Sequence, residues 1–134
     1  MKIIITEEQN EQLNHKIRLT VEKLGLKQSL EMFGKDIIKQ AYIDNPYLIL
    51  SEYNKIKSIE SGGQTLYLDD NENVIFTYYT QDQEDKKGYY FFNFKIYKLI
   101  EQIFGDDYNF NKQLILDWLK NTFNLEGLKL TTFG

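Results

Sequence analysis

The sequence predicts an α+β fold: N-terminal helices, a three-stranded antiparallel meander, then two C-terminal helices packed on one sheet face. Three observations predict it. Helical spacing of apolar residues runs through roughly the first 60 residues. Short aromatic and β-branched runs separated by polar turns fill the stretch from Thr65 to Phe94. Helical spacing then returns as far as Asn124.

Lys2 to Ile5 is β-branched and reads as a short edge strand. Thr6-Glu7-Glu8-Gln9 fits a capping box, opening a helix whose buried stripe is Leu13, Ile17, Val21 and Leu24. Gly25 ends it. A second helical stretch covers Gln28 to Ile43, with Leu30, Phe33, Ile37 and Ala41 on one face. Gly34 falls in its middle, and Phe33-Gly34-Lys35-Asp36 reads as a stop followed by a new start, so two helices are expected. Asp44-Asn45-Pro46 turns the chain into a third short helix, Pro46 to Asn54. Ser61-Gly62-Gly63 marks the one internal boundary.

Beyond it, Thr65 to Leu68, Val74 to Tyr79 and Tyr89 to Phe94 read as three strands joined by polar loops at Asp69 to Asn73 and Gln81 to Lys87. Helices follow at Lys95 to Phe104, burying Ile96, Leu99, Ile100 and Ile103, and at Asn111 to Asn124, burying Leu114, Ile115, Trp118 and Leu119. Gly105-Asp106-Asp107 separates them, Gly127 stops the second, and Leu128 to Phe133 can add a last strand. The whole is expected to be a single domain, residues 1–134, with a helical part over about 1–60 and the meander plus two helices over about 64–134.

Composition excludes several kinds of chemistry. The chain has 134 residues and no cysteine, which removes disulfide scaffolds, thiolate metal sites and cysteine nucleophiles. A single histidine, His15, lies off the apolar stripe and reads as a surface residue rather than a ligand. No run approaches the roughly 18 apolar residues that span a bilayer, and the first six residues are too short and too soon followed by Glu7 and Glu8 for a secretion signal. A cytoplasmic, membrane-free protein is expected. The net charge of −4 disfavours a broad phosphate-tracking surface.

The sharpest local pattern is Lys87-Gly88-Tyr89-Tyr90-Phe91-Phe92-Asn93-Phe94. It resembles the signature strand of RNA-recognition motifs, which implies that Tyr89 and Phe91 would stack on bases while Lys87 supplies charge, supported by Lys86 and Lys95. Tyr90 and Phe92 stand where that signature has a small and an aliphatic residue. The competing reading makes these rings core and edge residues of an aromatic strand. Asp69-Asp70-Asn71-Glu72-Asn73 starts with calcium-loop spacing, but Val74 stands at the turn glycine and Thr80 at the twelfth position, so hairpin-turn chemistry is expected. The adjacent acid pairs Glu7-Glu8, Glu84-Asp85 and Asp106-Asp107 read as solvated charge, and Gly62-Gly63 lacks the Lys-Ser/Thr of a phosphate loop. No catalytic constellation assembles, and no enzyme activity, cofactor or metal is expected.

Lys2-Ile3-Ile4-Ile5-Thr6-Glu7-Glu8-Gln9, Gly25-Leu26-Lys27-Gln28-Ser29-Leu30, the join from Phe94 to Phe104, and Trp118-Leu119 with Asn124-Leu125-Glu126-Gly127 are similar to pieces of a group of short proteins from environmental tailed phages. Tyr97 stands where that group usually has Trp. The group carries no known activity, so the resemblance implies a phage origin and, with it, the host cytoplasm or the virion.

Two functions compete, with a third, a hydrolase or other enzyme using carboxylates in a cleft, that no particular residue supports. The first is a non-enzymatic phage accessory or virion-associated protein acting through protein contacts, by partner binding or self-association. The second is single-stranded nucleic-acid binding on the aromatic meander from Leu66 to Phe94. Aromatics occupy both parities of the strands, and a simple count puts Tyr78 with Phe91 on one face and Tyr79 with Tyr90 on the other. The face left uncovered would be the binding face.

Overall fold

The computed structural model describes residues 7–79, 89–125 and 129–130, which fall into two compact units, Met1–Glu52 and Tyr53–Gly134. The expected edge strand Lys2 to Ile5 and the Thr6 cap lie outside the described residues.

In the N-terminal unit, helical propensity is interrupted twice by a single glycine. Helix α1 (Glu7–Leu24) ends at Gly25, α2 (Leu26–Phe33) starts at once and ends at Gly34, and α3 (Lys35–Ala41) follows. Gly25 and Gly34 have φ of 90° and 83° with ψ of 157° and 163°, a region essentially reserved for glycine. These are therefore full breaks that redirect the chain, and the expected split at Gly34 is present. A 3₁₀ segment, Pro46–Tyr53, stands where the third helix was expected. Its Glu52 accepts a hydrogen bond from Leu26 N at 2.7 Å, satisfying an orphan N–H at the start of α2. Arg18 of α1 donates through Nε to the Ala41 carbonyl at 2.6 Å, tying α1 to the end of α3.

Ile17, Val21, Leu26, Ile38, Ala41, Tyr42, Ile49 and Leu50 are buried. The expected stripes are corrected in two places. Leu13 is exposed, so the α1 stripe narrows to Ile17 and Val21, with Leu24 half-buried. Ile37 is also exposed and Ile38 is buried in its place. The break at Gly34 resets the helical phase, so a face counted continuously across it selects the wrong residue.

The C-terminal unit holds a sheet in the order β1-β2-β3-β4-β5, with β1 Lys57–Ser61, β2 Gln64–Leu68, β3 Val74–Tyr79, β4 Tyr89–Phe92 and β5 Lys129–Leu130. The first four strands are antiparallel neighbours and β5 joins β4 in parallel. The expected three-stranded meander thus gains a strand in front. Ser61-Gly62-Gly63 is not a boundary but the approach to a two-residue hairpin turn, with Gly62 and Gly63 at φ of 56° and 84° and Ser61 paired with Gln64. Positive φ at both turn residues is the geometry that matches strand twist. Strand β1 escapes a pattern reading because all five of its residues are exposed, so no buried alternation is written into it.

The Asp69 to Asn73 loop is a side-chain-stabilised turn. Asp69 Oδ1 accepts from the Asn71 and Asn73 backbone N–H groups, both at 2.9 Å, and Asp69 Oδ2 accepts from Asn73 Nδ2 at 3.3 Å. The carboxylate is occupied in holding the hairpin.

Asn93 carries the chain from sheet to helix. Its Oδ1 accepts from Lys95 N at 2.8 Å and Ile96 N at 3.2 Å, capping α4 (Phe94–Phe104), while its Nδ2 donates to the Val74 carbonyl at 2.8 Å. One side chain thereby joins β3 to the start of α4. Asn93→Ala is expected to cost about 1–2 kcal/mol, seen as a lower urea midpoint with an unchanged m-value. An unaltered midpoint would show that the cap contributes nothing. Helix α4 buries Ile96, Tyr97, Ile100 and Ile103, with Tyr97 in the place expected for Leu99, which is half-buried.

Helix α5 (Tyr108–Phe123) begins three residues before the expected Asn111, because Asp107 Oδ1 accepts from Phe110 N at 3.2 Å and caps it there. It ends at Asn124, as the sequence predicts, on a left-handed residue at φ 57°; Gly127 lies outside the described residues. Leu114, Ile115, Trp118 and Leu119 are buried as expected.

Candidate functional site

The two faces of the sheet differ in kind. Tyr67, Phe76 and Phe92 are directly opposed across β2, β3 and β4, as are Thr65, Tyr78 and Tyr90, so these residues share one face. Helix α5 covers that face with aromatic contacts. Phe76 meets Trp118 edge-on at 5.7 Å between ring centroids, Phe92 meets Trp118 at 6.2 Å, and Phe123 lies 5.3 Å from Tyr67 and 5.4 Å from Phe76. Tyr67 stacks on Phe76 at 4.1 Å and Tyr78 on Tyr90 at 5.2 Å. Phe76, Tyr90 and Phe92 are fully buried, and burial beside Tyr78 and Tyr67 pushes the Tyr90 hydroxyl well above the usual phenol range.

The second face carries the row Ile59, Leu66, Thr77 and Phe91, again by direct opposition, with Tyr79 beside Phe91 at 5.5 Å in an edge-on contact. Ile59 is 50 % exposed. Leu66, Thr77, Tyr79 and Phe91 are half-buried. This face is less covered than the α5 face without being bare.

The register overturns the simple face count. Tyr78 pairs with Tyr90, and Tyr79 contacts Phe91, whereas the count had crossed them. Loop length fixes which residues oppose, and that offset cannot be read from parity within one strand.

The expected nucleic-acid residues separate accordingly. Phe91 lies on the second face, half-buried against Tyr79. Tyr89 is the first residue of β4, and its backbone pairs with Lys129. Lys86 and Lys87 lie outside the described residues. Lys95 is exposed in the first turn of α4. Tyr90 and Phe92, which depart from the RNA-recognition signature, are the fully buried core positions under α5. Their size serves packing: a small residue at 90 would leave a void against Phe76 and Tyr78. The residue that a sequence reading misses on the second face is Ile59, which β1–β2 pairing sets opposite Leu66 at the far end of the row from Phe91.

Among the described residues no cluster of three or more His, Asp or Glu side chains is placed to hold a metal ion, and no helix is long and apolar enough to cross a membrane. His15 is exposed, and Asp107 serves as a helix cap. No family model, no curated protein and no solved structure matches the chain.

Proposed function

We propose that the chain is a non-enzymatic accessory or virion-associated protein of a tailed phage and that it acts through protein contacts on the second face of its sheet. The observation that carries the contact role is the row Ile59, Leu66, Thr77 and Phe91 with Tyr79, an aliphatic and aromatic strip left partly open while α5 occupies the opposite face. Partly open apolar strips of this kind are what protein partners desolvate. The phage origin is supported by the four sequence segments that resemble phage proteins, from Lys2 to Glu126-Gly127.

Single-stranded nucleic acid is the second reading, favoured by the Tyr79–Phe91 pair, because bases stack on aromatic side chains and these two half-buried rings lie side by side. The net charge of −4 weighs against it. The two readings part in one experiment. Wild type, Tyr79→Ser and Phe91→Ser are compared for retention of phage and host proteins at high salt and for binding of a fluorescent oligothymidylate at low salt. A protein retained by wild type and lost by both folded variants is the expected result. Equal retention by all three chains would remove the second face as the contact site. Oligothymidylate binding that weakens with salt and with Phe91→Ser would replace the protein reading by the nucleic-acid one.

A further inference from the structure

Strand β1 is an edge with the means to pair with itself. It stands at one end of the sheet order, and all five residues from Lys57 to Ser61 are exposed. It holds neither proline nor a bulge, the register irregularity lying at Tyr67/Leu68 between β2 and β3. Proline and bulges are two of the devices that keep an edge from pairing; charge is a third, and β1 carries one residue of each sign, Lys57 and Glu60.

The hairpin sets which backbone groups face outward. In a two-residue hairpin the residues flanking the turn form a hydrogen-bonded pair, here Ser61 with Gln64, and hydrogen-bonded and non-hydrogen-bonded pairs then alternate. Ser61, Ile59 and Lys57 therefore direct their N–H and C=O groups at β2. Ser58 and Glu60 direct theirs away from the sheet, and among the described residues no strand takes them up.

We infer that β1 pairs antiparallel with β1 of a second copy, about a two-fold axis at Ile59. In that register Ser58 of each copy stands opposite Glu60 of the other. The two pairs exchange four backbone hydrogen bonds and satisfy every outward group of Ser58 and Glu60. Ile59 falls opposite itself at a non-hydrogen-bonded pair, where side chains approach most closely, and its exposed apolar surface is covered. Lys57 stands opposite Ser61, so no like charges are directly opposed. The faces also match: both copies present Ile59 on the same side, extending the Ile59–Leu66 strip across the axis. A five-residue strand pair buries less than the roughly 1,600 Å² of a standard interface, so the dimer is concentration-dependent.

The absence of cysteine from the chain makes the test direct. An Ile59→Cys variant carries one thiol, and the about 4.5 Å Cα separation of a non-hydrogen-bonded pair lies within disulfide reach. Mild oxidation is expected to yield a covalent dimer. Lys57→Cys, on the same face but opposite Ser61, is expected to stay monomeric. Sedimentation velocity of the unmodified chain should show a dimer fraction that rises with concentration. Glu60→Pro removes one outward N–H of β1 while leaving the bonds to β2, and should raise the dissociation constant about tenfold or more. Equal cross-linking of the two cysteine variants, a strictly monomeric Ile59→Cys chain, or a dimer insensitive to Glu60→Pro would each overturn the inference. Should Glu60→Pro fail to fold, the cysteine pair decides alone. Self-pairing shares Ile59 with the second-face strip, but Tyr79 and Phe91 lie outside the β1 contact, so their variants report on the partner role separately.

Discussion

Replacing Trp118 with alanine is expected to cost about 3–5 kcal/mol, a large share of the roughly 5–15 kcal/mol that holds a folded domain together. Trp118 is 1 % exposed and sits where helix meets sheet, edge-on to Phe76, Phe92 and Phe123. Its Nε1 donates to Asn54 Oδ1 at 2.8 Å, joining α5 to the segment ahead of β1. Alanine leaves a cavity among three rings and removes one donor to Asn54 Oδ1, which still accepts from the Thr122 hydroxyl at 3.4 Å. Chemical denaturation followed by circular dichroism should show a unit that is mostly unfolded without denaturant, or one whose midpoint has fallen steeply. Trp118→Phe separates the two contributions, keeping much of the ring while removing the N–H, and should lose about 1–3 kcal/mol. A Trp118→Ala midpoint close to wild type would mean that the aromatic layer under α5 does not hold the unit together.

The second large effect is alkaline. Tyr42 is 1 % exposed, its hydroxyl has no hydrogen-bond partner among the described residues, and Arg18 lies over its ring at 5.3 Å. Burial pushes the phenol up to about 12, with Arg18 pulling the other way and Glu22 and Glu52 adding to the rise. The unfolded chain releases this proton near pH 10 and the folded chain near pH 12, so between those values the folded state holds more protons. Stability from this group is therefore complete below pH 10 and is lost as pH rises toward 12, by about 2–3 kcal/mol in all. Tyr42→Phe keeps the ring beside Arg18 and removes both the titration and an unsatisfied buried hydroxyl. At pH 7 the variant is expected to equal or exceed wild type in stability. Urea unfolding at pH 7 and at about pH 11 checks both points. A variant that loses as much as wild type over that interval would place the alkaline sensitivity elsewhere, with buried Tyr90 and half-buried Tyr67, both also shifted upward, the next groups to replace.

Most of the secondary structure is legible in the sequence where local chemistry decides it. Gly25 and Gly34 announce helix breaks because few other residues take their backbone angles. Leu114, Ile115, Trp118 and Leu119 announce the buried side of α5 because helical spacing alone selects them. Asp69 announces a turn because its carboxylate can reach the backbone two and four residues on. Strand β1 is illegible for the opposite reason: an exposed edge strand needs no apolar alternation, so Lys57 to Ser61 looks like loop. Tyr90 and Phe92 read as departures from a nucleic-acid signature, and their burial under Trp118 and beside Phe76 is a tertiary fact.

The sequence by itself determined the α+β class, the helix breaks and the aromatic richness of the meander, since each rests on propensity or spacing within a few residues. Only the tertiary structure decided which rings are core and which lie on the second face. Directly opposed residues share a face, and opposition depends on loop length and on the bulge at Tyr67/Leu68, neither of which periodicity within a strand encodes. Strand pairing alone lined up Ile59, Leu66, Thr77 and Phe91 across four strands, and so made one strip from residues that are dozens of positions apart in the chain.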